Sequence, residues 1–105
     1  MELDDETYDA YAEQALTDAY GEYEQRGGWY ELINQNLSVP FKTSILGIEA
    51  IVVKVDLNED SQVVALVTRG NSSMEVRLED VALLAPLTKG AEWVFAYRRW
   101  IAEQR

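Results

Sequence analysis

The 105-residue chain contains no cysteine and no histidine. Without cysteine there can be no disulfide, no thiolate nucleophile and no zinc–thiolate site. Without histidine the commonest general base and transition-metal ligand are missing. Bases are scarce as well: nine Lys and Arg stand against nineteen Asp and Glu, a net charge of −10. No apolar run approaches the ~18 residues of a membrane span. The opening Met1-Glu2-Leu3-Asp4-Asp5 is the reverse of a basic secretion signal, so a cytoplasmic protein is expected. The serines and threonines have no histidine to pair with. Paired carboxylates fall on a helix that reads as exposed, where nothing would separate their pKa values. Gly27-Gly28 has neither the spacing nor the lysine of a phosphate loop. An enzyme is not expected.

What is present is acid, and it is concentrated. Residues 1–31 carry ten acids and one base, Arg26, leaving a net −1 for the remaining residues. Such a field repels nucleic acid and anionic lipid, so neither is an expected partner; it attracts cations and basic protein surfaces. The length suits one domain over residues 1–105. The expected class is α+β: a helical part over 1–39, an antiparallel β part over 41–86 and a C-terminal helix over 89–103.

Asp4 or Asp5 can cap an acidic helix. Tyr8, Ala12, Ala15, Ala19 and Tyr23 recur at helical period along it, opposite Asp5, Asp9, Glu13, Asp18 and Glu22. Like charges four apart, such as Glu2–Glu6 and Asp5–Asp9, go uncompensated before Arg26. Gly27-Gly28 reads as the stop of this helix, and residues 29–36 as a short second one. Pro40 marks the change to strands. Lys42–Leu46, Ala50–Asp56, Gln62–Arg69 and Met74–Leu78 read as strands, with Val81–Leu84 as a short closing one. Strands of that number and length predict a small SH3-like barrel or sheet. Trp93, Tyr97, Trp100 and Ile101 share one face of the final helix and read as core.

The remaining chemistry is hard-cation binding by oxygen, and Ca²⁺ takes six to eight such ligands in irregular geometry. Asp18 and Glu22 would stack one turn apart on the acidic helix, with Glu24 nearby. Asp56, Asn58 and Asp60 alternate like the opening positions of an EF-hand loop, with Glu59 between them. That match ends at Ser61, where the loop needs glycine, and at Val67, where it needs glutamate. A polar hairpin turn explains the segment equally well.

The stretch Asp18-Ala19-Tyr20, Glu22, Glu24, Gly28-Trp29-Tyr30, Leu37 and Val39-Pro40-Phe41 resembles the cyanobacterial-type small calcium-binding (CcbP) family. An acidic turn between valine-rich strands and a last helix with spaced tryptophans extend the likeness. The resemblance implies an α+β domain binding Ca²⁺ through surface carboxylates, as a buffer or signalling sink. The implied ligands are Asp18 and Glu22, with Asp56, Glu59 and Asp60 as a second source. Gly21, Tyr23 and the Thr88-Lys89-Gly90 segment stand where the family tends to carry acids, and Arg98 and Arg99 add positive charge. The alternative is a non-catalytic interaction module whose acidic helix docks a basic protein.

Overall fold

A computed structural model describes residues 3–104. Two helices, four consecutive strands and a final helix follow in order: α1 (Asp5–Leu16), α2 (Glu22–Asn36), β1 (Phe41–Ile45), β2 (Ile48–Leu57), β3 (Val63–Arg69), β4 (Ser72–Arg77), a 3-10 turn (Leu78–Asp80) and α3 (Ala91–Glu103). The α+β class and the switch to strands after Pro40 are as expected. Asp4 caps α1, its carboxylate accepting the Thr7 N–H at 2.7 Å. Glu2 lies outside the described residues.

The helical part departs from the sequence reading. One long acidic helix was expected to run to Gly27-Gly28; instead α1 ends at Leu16, and both glycines lie inside α2. The break is local chemistry. Thr17 turns its hydroxyl back onto the Glu13 carbonyl at 2.6 Å, and the Ala19 N–H closes onto Leu16 O at 3.1 Å. Asp18 then takes φ +60°, a left-handed conformation that Asp tolerates better than most residues. The expected stripe therefore splits. Tyr8 and Ala15 are buried, whereas Tyr20 and Tyr23 stand 86% and 72% exposed.

The strands form an antiparallel meander, β1-β2-β3-β4. Ile45 pairs with Ile48 across a two-residue turn in which Leu46 and Gly47 both take positive φ, the hairpin geometry that suits sheet twist. A bulge shifts the β2–β3 register between Val52 and Lys54. β1 and β4 remain edges, so the sheet is open rather than an SH3-like barrel. The closing strand expected at Val81–Leu84 does not form. Its carbonyls go to side chains instead: the Arg98 guanidinium donates to Val81 O, and the Thr43 hydroxyl to Ala82 O at 2.7 Å.

One face of the sheet, with Ala50, Val52, Val63, Ala65 and Val67, is buried, and α2 packs on β2 and β3. α1 packs on α2 and α3. The expected face of α3 is borne out: Trp93, Tyr97, Trp100 and Ile101 are all buried. Trp29 of α2 is fully buried among them, its ring centroid 6.4, 6.0 and 6.2 Å from those of Trp93, Tyr97 and Trp100. Aromatic pairs at these spacings add to the burial of their large apolar areas.

Candidate metal centre

The break at Thr17–Gly21 decides what the acids can do together. With no helix spanning them, Asp18 and Glu22 are not stacked as expected. Asp18 sits in the connection; Glu22 is the first residue of α2. The Glu22 carboxylate pairs with Arg26 at 3.1 Å and borders a small polar depression with Arg77 and Glu79. Glu24, two residues further on, turns back and accepts the Tyr20 N–H at 3.1 Å. Both acids also favour the positive end of the α2 dipole.

Gly28 sets the approach of the two helices. A Cβ at this position would collide with the Ala15 carbonyl, so only glycine lets the end of α1 lie so close across α2. Beside this crossing is an open cleft of about 490 Å³. Asp18, Glu24 and Glu31 stand on its wall, together with Ala15 and Thr17 at the end of α1. That end of a helix carries the negative pole of its dipole. Leu57 also borders the cleft and carries the β2–β3 hairpin to its rim.

Glu31 was not among the expected ligands. It lies seven residues, two helical turns, beyond Glu24, on the same face of α2. That spacing becomes readable only once the helix is known to start at Glu22 rather than after Gly28.

The hairpin acids are arranged as a turn. Asn58 Oδ1 accepts the N–H groups of Asp60 and Gln62, both at 2.9 Å, and Asn58 N–H donates to Gln62 O at 3.0 Å. Ser61 closes the loop with φ +59°. Asn58, one of the three EF-hand-like positions, is thus committed to the turn. Asp56 accepts its neighbour's Leu57 N–H at 2.8 Å and faces Lys54 at 3.8 Å. Glu59 and Asp60 are exposed.

The donor set is oxygen only, which fits a hard cation such as Ca²⁺ and no soft metal. Among the described residues, no three acids converge into a ready-made cage. Asp18, Glu24 and Glu31 share a cleft wall, while Glu22 belongs to a different depression.

The fold has close counterparts among solved structures. The crystal structure of Anabaena CcbP superposes with a TM-score of 0.81 at 19% identity, covering 97% of this chain and 96% of that one. A calcium-binding protein in its calcium-binding form superposes with a TM-score of 0.77 at 18% identity, covering 95% and 93%. No curated protein matches the sequence. The profile of the CcbP family, described as calcium binding, matches residues 9–101, nearly the whole chain, and the chain therefore belongs to the CcbP calcium-binding family.

Proposed function

We propose that this protein binds Ca²⁺ with surface carboxylates at the cleft between the end of α1 and α2, and that it serves as a buffer or sink for the ion. The observation that carries the reading is the shared cleft wall of Asp18, Glu24 and Glu31. Asp56, Glu59 and Asp60 are the second source of oxygen, from the hairpin that Leu57 joins to the cleft rim. Glu22 would contribute only by leaving Arg26. Bound Ca²⁺ would neutralise part of the charge of the first 31 residues, which hold ten acids and one base, Arg26. Flexible carboxylates in irregular geometry suit Ca²⁺ better than the strictly octahedral Mg²⁺. Calorimetric titration and melting against EDTA test this. Heat of binding and a raised melting temperature are expected, both reduced by Asp18→Asn and Glu31→Gln. No heat and no shift at millimolar Ca²⁺ overturn it.

One observation favours a second reading, a basic protein docked on α1. Glu6, Asp9 and Glu13 are all exposed on a helix that contains no base. A polylysine peptide would then bind in a salt-sensitive way without calcium, and Glu6→Gln with Asp9→Asn would weaken it. Equal binding by this double variant rejects it.

A further inference from the structure

We propose that the groove between β1 and residues 83–88 binds a small amphipathic organic acid, one with an apolar body and a single anionic head. β1 is an edge strand, paired only with β2. The chain beyond the 3-10 turn returns alongside it and is pinned at both ends. At one end the Thr43 hydroxyl holds the Ala82 carbonyl at 2.7 Å. At the other, the Thr88 hydroxyl donates to Ser38 O and the Ser38 N–H to Lys89 O, each at 2.8 Å. Between these pins, among the described residues, no backbone hydrogen bond joins the two segments. They stand apart as the walls of a trough of about 360 Å³.

The walls are apolar: Phe41, Leu83, Leu84, Ala85 and Pro86. Leu84 is 41% exposed, and Leu87, between the lining residues Pro86 and Thr88, is similarly exposed. Apolar surface held open this way excludes water from a ligand without first having to be uncovered. Lys42 is the one charged residue in the lining, is itself exposed and has no ion-pair partner among the described residues. A lone ammonium beside an apolar trough, in the part of the chain beyond residue 31 that carries a net charge of only −1, selects a ligand that is apolar along its length and anionic at one end. The groove shares no lining residue with the acidic cleft, so its occupancy does not depend on calcium.

The test uses the full chain with anilinonaphthalene sulfonate, an apolar anion whose fluorescence rises on burial. Saturable enhancement is expected, unchanged by EDTA and displaced by octanoate at lower concentration than by octanol. Lys42→Glu, at an exposed position, keeps the far-ultraviolet circular dichroism and weakens the dye about fivefold, the size expected when a single exposed charge changes sign. Leu84→Asp abolishes the enhancement. The proposal is overturned by an absence of saturable enhancement, by equal competition from octanol, or by an affinity for the dye that Lys42→Glu leaves unchanged. Loss of the dye in Leu46→Ser, at the exposed β1–β2 turn, with no loss in Leu84→Asp overturns it too.

Discussion

The guanidinium of Arg99 lies 4.2 Å from the centre of the Tyr8 ring, joining the last helix to the first. The same group reaches Asp5 at 2.5 Å and Glu103 at 3.6 Å, and the Tyr8 hydroxyl donates to Glu103 at 3.0 Å. It is the one base that meets the acidic face of α1 among the described residues. Arg99→Ala is therefore expected to lower the urea midpoint without changing the slope, and Arg99→Lys to lower it less. Lysine keeps the charge but not the planar stack. The deficit of the alanine variant shrinks at high salt, where exposed pairs are screened. An unaltered midpoint in Arg99→Ala would show that the clamp contributes nothing.

Gly27 and Gly28 are neighbours in α2 with opposite surroundings. A Cβ at Gly27 meets nothing within 4 Å, so Gly27→Ala adds a better helix former and should stabilise by about 0.5–1 kcal/mol. A Cβ at Gly28 meets the backbone of Ala15, which cannot rotate away, and Gly28→Ala should destabilise by about 1–3 kcal/mol. Equilibrium urea unfolding reads both; equal effects would contradict the helix crossing.

The Tyr97 hydroxyl is fully buried and makes no hydrogen bond of normal geometry, the Val63 backbone being the polar group that bears on it. Burial first, then the Glu79 carboxylate, push its pKa up to about 12 from 10.0, with Arg26 and the Val63 backbone opposing. The unfolded chain gives up this proton first. The residue's contribution to stability is thus intact below pH 10 and drains away as pH rises toward 12. Tyr97→Phe removes an unsatisfied polar atom and should be neutral or stabilising at pH 7. It should also flatten part of the alkaline loss of melting temperature. A variant that melts far below the parent at pH 7 would mean that the hydroxyl has a partner.

Glu22 and Glu31 separate the two arrangements of the calcium ligands. If the cleft holds the ion, Glu31→Gln weakens calcium affinity by roughly tenfold, the effect of removing one charged ligand. Glu22→Gln leaves it nearly unchanged, because that carboxylate faces Arg26. The reverse ranking by calorimetry would move the site to the depression that Glu22 shares with Glu79.

Several elements were legible because their signals are local. Pro40 constrains Val39, and the strands begin one residue later. β-branched runs marked β2 and β3, and a strict helical stripe of large aromatics marked the buried face of α3. The candidate site was harder to read. Two adjacent glycines are a strong stop signal in isolation, yet here they are the surface on which Ala15 rests. Reading them as a stop kept Asp18 and Glu22 on one helix and hid the seven-residue spacing of Glu24 and Glu31. The Asp56–Asp60 segment allowed two alternatives, a cation loop or a polar turn; Asn58 is taken up by the turn, while Asp56, Glu59 and Asp60 are exposed.

From its residues alone the chain was bound to be an acidic α+β protein with oxygen as its only strong metal donor, and the Asp18–Phe41 stretch already carried its likeness to a calcium-binding family. Those properties follow from composition and short-range pattern, which no packing can alter. Which carboxylates share a cleft, whether the sheet closes, and what meets the acidic helix were settled only in three dimensions. Each depends on groups distant in sequence meeting at one place: Ala15 against Gly28, Thr43 against Ala82, and Arg99 against Asp5.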